Sequence, residues 1–215
     1  MTASFNAQHA EILLSDWLEG PVTVRGMEPL TGGMVNQVLR VDFDRDPGSA
    51  VIKVASEYGV RYGFRSEFDT MAYLLERGFP VPEPYFIHEP NGSGDGVPFP
   101  VLGMEHWDAP NIGQVPISQA DFARIQREMA DSLLDLHTHT RETYGPIFDE
   151  GRADWAAEFE PRVRDRYENI EGKIDTRTYA RIDDILRAFP VIFADQGAPT
   201  LVHGDIWATN VMISE

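Results

Sequence analysis

Near the end of the chain, LVHGDIWATN sets His203, Gly204, Asp205 and Asn210 within eight residues. Transfer of a phosphoryl group to a hydroxyl needs a carboxylate at the attacking oxygen and a neutral oxygen ligand on a metal ion, the two fixed close together. A short irregular loop carrying Asp205 and Asn210 at this spacing could aim both inward. Aspartate and asparagine are also common turn residues, so the pair taken alone supports either role.

The same chemistry asks for a cation on the phosphates and a carboxylate that orients it. AVIKVAS offers Lys53 on a candidate strand, and FRSEFDTMAYLLERG offers Glu67 on the helix that follows. A strand lysine is ordinarily a solvated one, but Lys53 and Lys173 are the only lysines of the chain, which weakens that explanation. Glu67 also reads as a surface carboxylate. Upstream, LTGGMVNQVLRV places Gly32 and Gly33 in a turn between two strands, where backbone N–H groups could approach phosphates. A Gly-Gly hairpin is by itself usually only a turn. No G-x-x-x-x-G-K-[ST] occurs. The order of the parts carries the weight: glycine turn, strand lysine, helix glutamate, an apolar connector at Met104 to Trp107, then the Asp and Asn loop.

The elements that would position these residues fall into two halves. AQHAEILLSDWLEG has a helical stripe of Ala10, Leu13, Leu14, Trp17 and Leu18, closed by Gly20 and Pro21. VLRVDF and AVIKVAS read as strands of a hairpin around DRDPGS. The next helix puts Phe64, Phe68, Met71 and Leu75 on one face and stops at Gly78. FPVPEPYFIHE is an extended, proline-rich lead into a strand that pairs across PNGSGDG with VPFPVLGMEHW. Beyond it, Ser118 and Asp121 resemble a capping box opening a helix with Phe122, Ile125, Met129, Leu133 and Leu136 on its stripe. DWAAEFEPRVRDRYENIE and TYARIDDILRAFPVIFAD are helical in pattern as well. His137 and His139, two apart, share no helix face and make a poor metal pair, and Asp183 and Asp184 read as a solvated helix face.

Composition narrows the classes. At 215 residues with 42% hydrophobic content the chain can bury a core. Cysteine is absent, which removes disulfides, thiolate nucleophiles and cysteine zinc sites together. Without a spanning apolar run or a secretory pattern in MTASFNAQHAE, the expected location is the cytoplasm. Thirty-five acidic residues against 18 basic give a net charge of -17, a surface that repels nucleic acid and anionic membrane. Acidic, lysine-poor surfaces suit a salt-rich interior, so the source is expected to be halophilic.

Together these features resemble the superfamily of aminoglycoside phosphotransferases and fructosamine kinases, over essentially the whole chain. Gly32, Gly33 and Asn36 look like the family's glycine loop, Lys53 and Glu67 like its nucleotide lysine and partner glutamate, and MEHW like its adenine-contacting hinge, with Met104, Glu105 and His106. SLLDLHTHTRETYGP is similar to its leucine and histidine helix end. HGDIWATN is closest to the fructosamine (ketosamine) kinase branch, which has tryptophan two residues after the aspartate, as Trp207 is here. Trp155, Phe159 and Arg162 look like that branch's Trp and Phe helix, although core packing serves Trp155 and Phe159 equally well.

The resemblance implies an α+β, protein-kinase-like two-lobed fold: an antiparallel-sheet lobe over residues 1–106 that binds the nucleotide, and a mainly helical lobe over 107–215. It implies transfer of the γ-phosphoryl group of ATP, with Mg2+, to a hydroxyl of a small molecule of ketosamine or aminoglycoside type. Asp205 would be the base and Asn210 a metal ligand. The family places a second magnesium aspartate on a strand shortly after the asparagine, and VMISE contains none, so the helical lobe is expected to be C-terminally truncated. The alternative reading is a catalytically inactive, truncated module of this fold that binds a nucleotide or a partner.

Overall fold

The structure, a computed structural model, describes residues 4–30, 36–56, 64–90 and 96–213. Gly32 and Gly33, expected to form the phosphate-covering turn, lie outside the described residues. Residues up to Pro116 together with those from Trp207 onward form one compact unit, and Ile117–Ile206 form a second.

In the first unit, helix α1 (Ala7–Trp17) opens on a reciprocal cap: the Asn6 side chain accepts from the His9 amide, and the Asn6 amide donates to His9 Nδ1. It buries Ala10, Leu13 and Leu14, the centre of the expected stripe. Its end differs from the sequence expectation, because the left-handed residue is Glu19 (φ 52), not Gly20. The Gly20 amide then donates to the Ser15 carbonyl and the Glu19 amide to that of Asp16, closing the helix although glutamate is strained there.

Five antiparallel strands follow: β1 (Val24–Pro29), β2 (Gln37–Phe43), β3 (Ser49–Val54), β4 (Pro84–His88) and β5 (Val101–Glu105), in the order β1-β2-β3-β5-β4. Period-two alternation sorts their side chains. Leu39, Val41, Phe43, Ala50, Ile52, Val54 and Val101 join the α1 residues in the main core. On the opposite face, Leu102 packs with Phe64, Phe68, Met71, Ile87 and Met104 around helix α2 (Arg65–Leu75). Leu75 is the exception, standing 39% exposed. Gly103 is required by packing: a Cβ there would lie 2.3 Å from the Phe86 ring.

The second unit is helical, with α3 (Gln119–Leu136), α4 (Trp155–Glu168) and α5 (Thr176–Ile192). On α3 only Ile125 and Leu136 are buried, and Phe122 stands largely exposed. The expected capping box is one-sided: Ser118 Oγ accepts from the Asp121 amide, but the Asp121 carboxylate returns to the serine hydroxyl instead of the backbone. Ala156, Tyr167, Leu186 and Phe189 form the core between α4 and α5, with Trp155 against Phe159, Phe189 and Phe193. Trp155 and Phe159 therefore pack. Asp183 is not simply solvated either, since it pairs with Arg187 one turn on and approaches Arg164 of α4 at 4.0 Å.

Candidate functional site: a lysine clamp, a hinge strand and the Asp/Asn loop

Lys53 sits at the fifth position of β3, on the face that turns toward α2, with Val38 of β2 and Leu102 of β5 as its register partners. Neighbouring positions of that face are apolar too, since Val51 pairs with Met104. The ammonium donates to both carboxylate oxygens of Glu67, at 2.7 and 2.9 Å, and lies 5.7 Å from the centre of the Phe64 ring. Glu67 stands in the first turn of α2, where the helix dipole favours an anion. The strand and the helix thus fix the charged pair from two directions. Both side chains keep partial access to solvent, 24% for Lys53 and 39% for Glu67.

Asn36 ends the glycine-loop segment. Its side-chain oxygen accepts from the Ser56 amide at 3.4 Å, tying the start of β2 to the end of β3. Met104 and Glu105 close β5 and His106 follows at once. Glu105 is pinned on both sides: its amide donates to the Glu83 carbonyl at 2.8 Å and its side chain accepts from the Glu83 amide at 3.2 Å. His106 Nδ1 is 3.2 Å from Ser49 Oγ, a contact between the connector and the start of β3 that the sequence did not signal. Further out on the face, Arg40 is held protonated, first by its hydrogen bond to Asp42 and then by the charges of Asp42, Asp108 and Glu28.

The Asp and Asn loop is divided between the units: Asp205 belongs to the second and Asn210 to the first. Asp205 is exposed, and its amide donates to His203 Nδ1 at 3.3 Å, so the histidine braces its own loop. Asn210 closes a 3-10 turn, Ala208–Asn210. The residues after it run antiparallel to the stretch that follows the hinge: Ile112 donates to Val211, Ile213 donates to Pro110, and Asn111 bridges Met212. Within the turn, Thr209 Oγ1 is the one buried side-chain polar atom without a hydrogen-bond partner among the described residues. Also among the described residues, no group of three or more His, Asp or Glu side chains is placed to hold a metal ion.

In the second unit an arginine missed by the sequence reading organises the loop before α4. Arg141 donates through Nη1 to the carbonyls of Pro146 and Ile147, and through Nη2 to Thr143 Oγ1 and the carbonyls of Asp149 and Glu150. Its acceptors are backbone groups of an irregular loop, which leave no pattern in a sequence.

No helix among the described residues is long and apolar enough to cross a membrane. A search of curated proteins finds no match. Among solved structures, a Haemophilus somnus 129PT protein assigned as a fructosamine-3-kinase superposes with a TM-score of 0.66 at 18% identity, covering 92% of this chain and 65% of that one. Spectinomycin phosphotransferase APH(9)-Ia, in complex with ADP and spectinomycin, gives a TM-score of 0.53 at 16% identity over 99% of this chain and 67% of that one. The chain thus spans 65% of the length of the first of these. At such identities the likeness is one of fold, and the fold is α+β and protein-kinase-like. The sequence profile described as "Phosphotransferase enzyme family" (APH) matches residues 26–215. The chain belongs to that phosphotransferase enzyme family.

Proposed function

We propose that the protein transfers the γ-phosphoryl group of ATP to a hydroxyl of a small molecule, an amine-bearing sugar of the ketosamine or aminoglycoside type. The observation that carries this reading is the two-pronged contact of Lys53 with Glu67. Two of the three ammonium donors go to the carboxylate, and a phosphate oxygen would take the third. Family membership supports the reaction class. The acceptor type rests on the Trp207 motif and on what the two neighbouring structures are named for.

In this reading the apolar strip of Val38, Val51 and Met104 receives the base, beside the backbone of Met104, Glu105 and His106. Lys53, positioned by Glu67, clamps the phosphates, and the segment of Gly32, Gly33 and Asn36 covers them. Asp205 accepts the proton of the attacking hydroxyl. Magnesium would be held partly by Asn210, and when bound would supply charge neutralisation at the phosphates. The unpartnered Thr209 hydroxyl one residue before it fits an oxygen-rich site that the protein alone does not complete, as expected for an ion that is shared with substrate phosphates and water. A cytoplasmic, salt-rich setting completes the proposal, in keeping with the charge of -17.

The test is ADP release by the purified protein with ATP and Mg2+ against panels of ketosamines and aminoglycosides, with nucleotide binding measured in parallel. Acceptor-dependent ADP release supports the reading. Binding of ATP with no turnover on either panel overturns it.

A further inference from the structure

Arg141 lies where two parts of the second unit meet. Its side chain gathers four backbone carbonyls and one hydroxyl of the loop it begins, and its backbone amide donates to the Pro199 carbonyl at 3.0 Å. Around that bond the end of α3 is stitched to the segment leading to Asp205. Leu201 donates to the His139 carbonyl at 2.9 Å, Thr140 bridges Thr200, and the Tyr144 hydroxyl donates to the Gly197 carbonyl at 2.5 Å. The loop is closed on itself as well: Tyr144 and Arg152 exchange backbone hydrogen bonds at 2.7 and 2.9 Å, and Thr143 Oγ1 donates to the Glu150 carbonyl. Gly151 (φ 63) permits this closure, since a Cβ there would lie 2.1 Å from the Tyr144 carbonyl oxygen. Four residues beyond Leu201 the chain reaches Asp205.

We propose that Arg141 is a positioning residue for the phosphoryl transfer: by clasping its own loop and holding Pro199, it fixes the segment 197–201 that delivers Asp205. The inference rests on the reading of Asp205 as the base. The chemistry suits arginine and not lysine. A planar guanidinium presents five donors in a fixed fork and can hold several carbonyls at once, whereas an ammonium is a point charge with three. Asp205 is exposed and its amide donates to His203 within the same loop, so the firmness of the segment that leads into this loop bears on the aim of the carboxylate. A displacement of about 1 Å in a reacting group can lower a rate roughly a hundredfold.

The experiment compares Arg141→Ala, Arg141→Lys and Asp205→Asn in the full chain, reading kcat, KM for ATP and amide hydrogen exchange. Arg141→Ala is expected to lower kcat by roughly 10–100-fold with KM for ATP little changed, and to speed exchange at Leu201 and Asp205 while α1 and β3 exchange as before. Arg141→Lys should fall between. Should Arg141→Ala fail to fold, Thr143→Val removes one acceptor of the clasp and is expected to shift the same readings in the same direction. Unchanged exchange at Leu201, or faster exchange with kcat unchanged, overturns the positioning role. If Asp205→Asn turns over like the parent, the base assignment falls and this inference with it; if Asp205→Asn is inactive while Arg141→Ala is fully active, only the clasp falls.

Discussion

Lys53 and Glu67 face each other from β3 and α2 with the ammonium bonded to both carboxylate oxygens, at 2.7 and 2.9 Å. The pair is partly open to water, so its Coulomb energy is screened and its contribution to folding is about 1 kcal/mol or less. In the proposed reaction the pair serves a ligand instead. Lys53→Met is therefore expected to leave the thermal midpoint within a few degrees of the parent while lowering kcat/KM by two orders of magnitude or more, roughly the loss of a buried-phosphate charge contact. Glu67→Gln should cost less, because the lysine survives but loses its orientation. A Lys53→Met protein that unfolds far below the parent would make the pair a structural device.

Asp205→Asn keeps the shape of the side chain and the backbone bond to His203. What disappears is a group able to take a proton. Loss of a general base typically costs 10²–10⁴-fold in rate, roughly the effect expected here on kcat, with ATP affinity nearly intact. Titration calorimetry with ATP separates the two, and an equal loss of ATP binding would contradict the role.

Gly103 joins packing to the proposed hinge. Its missing Cβ makes room for the Phe86 ring on the main-core face of the sheet, and the next residue begins Met104 to His106. Gly103→Ala forces the ring or the strand to move, an overpacking that costs about 1–3 kcal/mol. The expected outcome is a lower urea midpoint together with a raised KM for ATP. Stability unchanged to within error would mean that the ring has room to swing aside.

The parts legible in the sequence are those with a period. Leu13 and Leu14 on α1 and the alternation of Val51, Ile52 and Lys53 repeat a pattern that burial enforces, and the motif residues Lys53 and Glu67 stand on elements that could be read. What escaped reading is set by tertiary contact. Glu19, an ordinary residue, takes the left-handed conformation because the helix must turn there, while the glycine beside it does not. Gly103 is one small residue in an apolar run, and only the Phe86 ring lying over it in the fold requires it to be glycine. Phe122 and Leu75 fit a helical stripe but stand exposed in the fold. Arg141 binds carbonyls, and every residue has one.

The Tyr167 phenol is pushed up to about 12, first by burial and then by its hydrogen bond to Tyr179. An unfolded tyrosine titrates near about 10. Between these values the folded chain keeps a proton that the unfolded chain releases, so this stabilising contribution is complete below about pH 10 and is lost as pH rises toward 12. The helical unit is expected to lose stability across that window, and less steeply in Tyr167→Phe. Phenolate absorbance near 295 nm should show one more late-titrating tyrosine in the parent than in the variant, since burial raises the Tyr85 phenol in both; identical titrations would remove the assignment.

Salt should separate the two kinds of surface electrostatics. Ion pairs one turn apart line the helices, among them Arg124 with Glu128, Arg164 with Glu160, and Arg187 with Asp183. Each is worth only about 0.3–0.5 kcal/mol and is weakened by screening. Against them stands the self-repulsion of a chain with 35 acidic and 18 basic residues, which screening relieves. The Debye length falls from about 10 Å at 0.1 M to about 3 Å at 1 M, short enough to silence repulsion between carboxylates on neighbouring turns. Because the acidic residues outnumber the basic ones nearly two to one, repulsion is expected to dominate, and the thermal midpoint should rise as potassium chloride is taken into the molar range. Potassium chloride, not sulfate, is the salt to use, since sulfate strengthens apolar burial on its own account and would raise the midpoint of almost any protein. A flat or falling midpoint would mean that the ion pairs outweigh the net charge and would remove the case for a salt-rich setting.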